Sequence, residues 1–183
     1  MDHAAGRPVE ERVLAAMLPY FTQSYGNPSS AHSPGSEARA AIDGARGSVA
    51  ALIGAAKEEI VFTSGATESN NLALKGAALR NKDKGNRIIT SAVEHMSVMN
   101  TCKELGKQGF EVAYIPVDRY GVVDVAALEK EASDKTVLVS IMHASGEIGT
   151  IQPIREIGEI VHGKGALLHV DAVASAGQVP IDV

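Results

Sequence analysis

Thr136-Val137-Leu138-Val139-Ser140-Ile141-Met142 decides the fold class. Three consecutive apolar residues, Val137 to Val139, do not alternate as they would in a strand with one wet face, so both sides of this strand are covered. Outward from it, further candidate strands fall at 87–91, 111–115 and 166–170. Helical patterns lie near 67–80, 97–108, 124–132 and 153–162, and Gly106, Gly109, Gly121, Gly163 and Gly165 punctuate element ends. Strands alternating with helices predict an α/β fold in three layers, with a mostly parallel sheet flanked by helices. Upstream, Val13, Met17 and Phe21 mark a helix over 9–21. Gly26-Asn27-Pro28-Ser29-Ser30 breaks it, a second helix is expected over 36–53, and a short strand over 59–63. The domain reading is an N-terminal helical arm and loop over residues 1–30, then an α/β domain over 31–183. The pattern stops after Gln178 to Asp182, where another element would begin, which implies a fragment of a larger fold or a chain completed by a partner.

The composition narrows the function. The 183 residues are 45% hydrophobic and carry 17 Lys plus Arg against 22 Asp plus Glu, a net charge of −5. That balance argues against a nucleic-acid or polybasic membrane surface as the main business of the chain. No 18-residue apolar stretch and no signal peptide is read, so the expected setting is cytoplasmic. The single cysteine, Cys102, excludes an internal disulfide framework. With Val98 and Leu105 it falls at i, i+4 and i+7 of a helix, the spacing of a small core residue. Lys75, Lys82, Lys84, Lys103 and Lys107 sit on helical positions or turns, and no lysine follows a final strand where a buried imine would form.

The sharpest local signal is Thr63-Ser64-Gly65-Ala66-Thr67-Glu68-Ser69-Asn70-Asn71, between a strand pattern and a helix. Free amides at Ala66 and Thr67, with the positive end of the helix, make a seat for a phosphate. Capping of the helix by Ser64 or Thr67 is the competing reading, and the two are compatible. Neither a Walker motif nor a dinucleotide glycine pattern is present. Asp171 stands at the end of an apolar strand, where ligand-bearing side chains converge in α/β sheets; a protonated pyridine nitrogen would suit it as a partner. His169, two positions earlier, shares its face. His95, in Ser91-Ala92-Val93-Glu94-His95-Met96-Ser97, is placed to stack on a flat ring and move a proton. Glu94, His95, His143 and His169 form no compact metal-ligand pattern, so no metal is expected.

Taken together, these strings resemble the first half of a cysteine desulfurase of the NifS/IscS type, in the class V aminotransferase group of pyridoxal-phosphate enzymes. The resemblance rests on Asp2-His3-Ala4-Ala5, Gly26 to His32, Thr63 to Asn71, Ser91 to Ser97, Glu147 to Pro153 and His169 to Ala172. It implies an incomplete large domain of the fold-type I transferase fold, with pyridoxal 5'-phosphate as cofactor. Ala66 and Thr67 would hold the cofactor phosphate, His95 would stack on the ring and serve catalysis, and Asp171 would pair with the ring nitrogen N1. The family moves sulfur from L-cysteine onto an enzyme cysteine as persulfide, releases L-alanine and passes sulfur to an iron-sulfur scaffold or other acceptor. It is dimeric, so a homodimer or a complementing second chain is implied.

The resemblance also exposes gaps. The family's cofactor-binding lysine, persulfide cysteine and substrate-binding arginine belong to its second half, and neither Cys102 nor the lysines here match them; the isolated chain is therefore expected to be inactive. Where the family has Asn-Asn-Glu-Ile-Gly, this sequence has Ser145-Gly146-Glu147-Ile148-Gly149, and where it has Asp-Ala-x-Gln, this sequence has Asp171-Ala172-Val173-Ala174. Gly146 and Ala174 thus replace amide side chains that address the ring oxygen, leaving Ser145, Ser175 or water to substitute. Two other readings follow: a degenerate, non-catalytic homologue serving as a scaffold in iron-sulfur assembly, and a related lyase, epimerase or aminotransferase.

Overall fold

The computed structural model describes residue 6 and residues 8–183; the Asp2-His3-Ala4-Ala5 string lies outside them. The chain divides into two compact units, Met1–Phe62 with Ala176–Val183, and Thr63–Ser175.

In the first unit, α1 (Glu11–Thr22) carries the apolar stripe of Val13, Met17 and Phe21, yet buries none of its residues. The helix α2 (Ser33–Ile53) starts three residues before the expected position because His32 caps it, its ring accepting from the Gly35 amide, and Pro34 suits the first turn. The glycines around this entry are steric necessities. A Cβ on Gly26 would lie 2.1 Å from the Pro34 carbonyl oxygen, and one on Gly35 would lie 2.4 Å from that of Ser30. The backbone amide of Val183 donates to the Ile53 carbonyl at 3.1 Å, tying the last residue to the end of α2.

The strand expected over 59–63 does not form. The apolar Ile60-Val61-Phe62 run cannot supply a pairing partner, and here both backbone groups of Ile60 are otherwise engaged. A single 3-10 turn occupies Lys57–Glu59, the Ile60 carbonyl accepts from the Arg46 guanidinium, and that guanidinium also lies 5.1 Å from the Phe62 ring centre.

The second unit contains α3 (Ala66–Arg80), β1 (Arg87–Ser91), α4 (Met96–Lys107), β2 (Glu111–Ile115), α5 (Val125–Glu131), β3 (Thr136–Met142), α6 (Ile154–Gly163) and β4 (Leu167–Asp171). All strands pair in parallel, in the order β2-β1-β3-β4. Every residue of β3 is buried, as its unbroken apolar run requires. On one side of the sheet Leu74 and Ala78 of α3 and Val98, Cys102 and Leu105 of α4 pack on Ile88 and Leu138. On the other, Leu128 of α5 and Ile157 and Val161 of α6 pack on Ile89, Val139 and Ile141. The pairing of β1 with β3 slips by one residue, from Arg87 opposite Thr136 to Ile88 opposite Leu138. That irregularity lets Val137 and Leu138, adjacent in sequence, join the same core cluster.

The strand expected over 166–170 is shifted by one. The Ala166 amide is taken by the Val161 carbonyl in closing α6, so β4 begins at Leu167 and ends on Asp171, which pairs with Met142. The Asp171 carboxylate therefore stands on the last rung of the sheet, where the backbone ladder fixes its direction. Since β1 lies between β2 and β3, the chain leaves β1 to one side and returns to the other. The carboxyl ends of β1 and β3 thus flank a topological switch point, the usual place for a ligand in an open α/β sheet.

Cys102 is fully buried in the α3/α4 cluster, and burial, followed by the charge of Glu94, pushes its thiol up to about 11. The thiolate is the reactive form. Cys102 is expected to stay unmodified by an aromatic disulfide reagent in the native chain and to react fully in urea; rapid labelling without denaturant would contradict its placement in the core. No helix among the described residues is long and apolar enough to cross a membrane.

Candidate functional site

The site is built around the start of α3. Gly65 occupies the cap position and no side chain caps the helix. The first helical bond runs from the Ser69 amide to the Gly65 carbonyl at 3.0 Å, which leaves the amides of Ala66, Thr67 and Glu68 without a partner inside the helix. The competing expectation, a cap by Ser64 or Thr67, is not what is built. Both the amide and the hydroxyl of Ser64 donate to Glu68 Oε2 at 2.6 Å. Those bonds, the hydroxyl first, hold the Glu68 carboxyl below the usual carboxylate range. The uncapped first-turn amides retain the geometry of an anion seat.

One turn further along α3, Asn70 is only 4% exposed and joins elements far apart in sequence. Its Nδ2 donates to Asp171 Oδ2 at 2.8 Å and to Ser97 Oγ at 2.9 Å. The other carboxylate oxygen of Asp171 accepts from the Val173 amide at 3.1 Å. The start of α3 and the end of β4 are thereby brought together across the carboxyl edge of the sheet. Ala66 precedes Asn70 by four residues, about 6 Å along the helix axis.

His95 is the cap of α4. Its Nδ1 accepts from the Ser97 amide at 3.1 Å and meets Ser97 Oγ at 2.8 Å. His95, Ser97, Asn70 and Asp171 therefore form one continuous hydrogen-bonded chain. Asn70 and Ser97 belong to the sequence motifs, but nothing in the sequence gives them a role. The partners of Asn70 lie 27 and 101 positions away, and no local spacing signals such pairs. The ring of His95 is exposed, so its far edge is accessible from solvent.

His169, on the face of β4 shared with Asp171, is tied by Nδ1 to Ser140 Oγ at 2.8 Å. Burial lowers its pKa, with the Asp171 charge opposing, so the neutral ring is favoured. Glu94 is buried behind the His95 loop. Its Oε1 accepts from the Ser91 hydroxyl at 2.6 Å and the Met142 amide at 2.9 Å, bracing the loop against β3, while its Oε2 has no partner. Desolvation raises its pKa to about 7, against the hydroxyl and amide bonds and with a smaller push from Asp171.

The two positions that depart from the resemblance face each other. A Cβ built on Gly146 would sit 3.7 Å from that of Ala174, an ordinary contact, so no close approach of backbone demands glycine there. The hydroxyls expected as substitutes are engaged: Ser145 Oγ accepts from the Glu147 and Ile148 amides, and Ser175 Oγ pairs with His143 Nδ1 at 2.9 Å. Among the described residues, no group of three or more His, Cys, Asp and Glu side chains gathers to hold a metal.

The comparisons with known proteins converge. The model of the aminotransferase class-V family matches residues 1–183. Cysteine desulfurase IscS 1 of Archaeoglobus fulgidus is 58% identical over 182 residues, covering 100% of this chain and 47% of that protein. Cysteine desulfurase IscS of Methanosarcina thermophila is 52% identical over 183 residues, covering 100% and 45%. Among solved structures, a NifS-like protein superposes with a TM-score of 0.96 at 44% identity, covering 100% of this chain and 50% of its own. A structure described as SspA in complex with cysteine gives a TM-score of 0.95 at 41% identity, covering 100% and 52%. The chain spans about half the length of these relatives, the N-terminal half.

Proposed function

This chain belongs to the class-V aminotransferase family, and from that premise we propose that it is the cofactor-binding half of a pyridoxal-phosphate-dependent cysteine desulfurase. One observation carries the reading: the Asn70–Asp171 bond, which sets the uncapped amides of Ala66 and Thr67 within a helical turn or so of a strand-end carboxylate. The donor set fits the group. Amides at a helix start suit a phosphate, a carboxylate suits a protonated pyridine nitrogen, and an exposed imidazole on the same hydrogen-bonded chain suits the face of a ring. When bound, the cofactor supplies an electron-withdrawing ring to the α-carbon of an amino acid. Ala66 and Thr67 fix its phosphate, Asp171 keeps its nitrogen protonated, and His95 covers the ring and is available for proton transfer.

The same reading gives L-cysteine as sulfur donor and an iron-sulfur scaffold or another acceptor as recipient. The assembled form is a homodimer or a complex with a complementing second chain, in the cytoplasm. On its own the 183-residue chain binds cofactor without releasing alanine from L-cysteine, because none of its lysines matches the family's cofactor-binding lysine and its one cysteine, the buried Cys102, does not match the persulfide cysteine. Titration of the chain with pyridoxal phosphate is expected to give a saturable absorbance band displaced from that of the free cofactor, competed by inorganic phosphate. Absence of binding would overturn the reading. A degenerate scaffold is the second reading, favoured by Gly146 and Ala174 facing each other where the family has amides; it predicts acceptor binding with no such band.

A further inference from the structure

Asn70 spends both hydrogens of its amide on groups of the site, one on the carboxylate of Asp171 and one on the hydroxyl of Ser97. The polarity of the whole chain follows from its two ends. A carboxylate only accepts, so the side of Asn70 facing Asp171 must be nitrogen, which fixes the orientation of the amide. At the other end the backbone amide of Ser97 only donates, so His95 Nδ1 must be an acceptor. The Ser97 hydroxyl has one hydrogen. With Asn70 donating to its oxygen, that hydrogen is directed to His95 Nδ1. Nδ1 thus receives two hydrogen bonds, and the neutral ring carries its proton on Nε2.

We propose that Asn70 is a positioning residue that sets two groups of the site at once, holding the Asp171 carboxylate in place and, through Ser97, directing a second hydrogen bond onto Nδ1 of His95, whose Nε2–H tautomer the Ser97 backbone amide selects. The polarity of these bonds follows from this chain's own geometry; its bearing on cofactor binding rests on the function proposed above. A buried amide serving only to join α3 to α4 would need the Ser97 hydroxyl but not the Asp171 carboxylate of β4. Here a single residue on the helix that offers the phosphate seat reads out the state of both ring-facing groups, so the anion seat, the carboxylate and the imidazole are registered against one another.

Two variants test this. Asn70→Asp keeps the shape of the side chain but turns its donor into an acceptor. The Ser97 hydroxyl then swings its hydrogen to the new carboxylate and away from His95. Ser97→Ala removes the hydroxyl and leaves the bond from Asn70 to Asp171 intact. The readout is the pair of imidazole nitrogen resonances of His95 in the nitrogen-15-labelled chain without cofactor, with circular dichroism as the check of folding. The unaltered chain is expected to show the Nε2–H pattern. Both variants are expected to move the Nδ1 resonance toward that of a nitrogen with fewer donors, and only Asn70→Asp is expected to move the carboxyl carbon resonance of Asp171. In a parallel titration, Asn70→Asp weakens pyridoxal phosphate binding roughly tenfold relative to Ser97→Ala. An Nδ1–H pattern in the unaltered chain, or unchanged His95 resonances in Ser97→Ala, would overturn the proposal. Should Asn70→Asp fail to fold, Asn70→Ala takes its place, with a moved Asp171 carboxyl carbon resonance expected and an unmoved one overturning the proposal. Absence of cofactor binding by the unaltered chain sinks the proposed function while leaving the nitrogen resonances as a complete test of the relay.

Discussion

Between pH 4.5 and 7 the unaltered chain is expected to lose about 3 kcal/mol of stability relative to its Glu94→Gln variant. Burial raises the Glu94 carboxyl from an ordinary 4.5 to about 7, and each pH unit between those two values is worth about 1.4 kcal/mol. The sign follows from which state holds the proton. Below 4.5 the carboxyl is protonated folded and unfolded, and the protonated form is the one the interior favours. As pH rises through the window, the unfolded chain releases its proton first and so binds fewer protons than the native state; stability then falls with pH until the native carboxyl also ionises near 7. Glutamine does not titrate and keeps an oxygen to accept from Ser91 and Met142. Its amide nitrogen takes the place of the partnerless Oε2, and the cost of that donor is a constant offset that cancels when the two pH profiles are subtracted. Glu94 is 7% exposed, so water does little to screen the effect. Urea denaturation of both chains at a series of pH values measures the difference directly. Parallel profiles would mean that the carboxyl is solvated in the native state.

Glu94 also shows where the reach of a sequence ends. In the Ser91 to Ser97 string it stands only as a candidate metal ligand. Its burial depends on β1 lying beside β3, which brings the Met142 amide within reach across 48 positions. The strands themselves are legible. Arg87–Ser91 and Thr136–Met142 fall where the apolar runs put them, because a strand covered on both faces leaves a continuous signature; Glu111–Ile115, a partly buried edge strand, also falls at its expected bounds. The 59–63 stretch looks similar and fails, since a strand exists only by pairing and no local pattern reports whether a partner is at hand. The slip at Val137 is invisible for the same reason.

The candidate site divides along the same line. Ala66, Thr67, His95 and Asp171 sit at the ends of elements, where turn residues and a sudden carboxylate or imidazole after apolar positions attract notice. Asn70 reads as an unremarkable polar residue within a helix, and only the fold shows it to be buried between a carboxylate and a hydroxyl. Local signals locate the candidate binding groups; the groups that hold them in place are supplied by contacts between distant segments.

Asp171→Asn separates the two halves of the site. The amide oxygen can still accept from Asn70 Nδ2, so the bond that brings α3 to β4 is kept; the negative charge is gone, and the exposed Val173 amide exchanges its acceptor for water. A hydrogen bond to a charged group is worth about 1.5 to 3 kcal/mol, so losing the charge opposite a protonated ring nitrogen is expected to weaken pyridoxal phosphate binding by roughly 10- to 150-fold. Inorganic phosphate meets only the first-turn amides of α3, and its affinity is expected to stay within about twofold. Equilibrium dialysis with each ligand makes the comparison. An equal loss for both would mean that the substitution has displaced the start of α3, and no loss for either would mean that Asp171 does not face the ring. The charge also reaches inward, since Asp171 contributes to the raised pKa of Glu94. In the Asp171→Asn chain the fall in stability with pH should therefore be shallower, a sign that the Asp171 carboxylate and the buried Glu94 carboxyl act on each other.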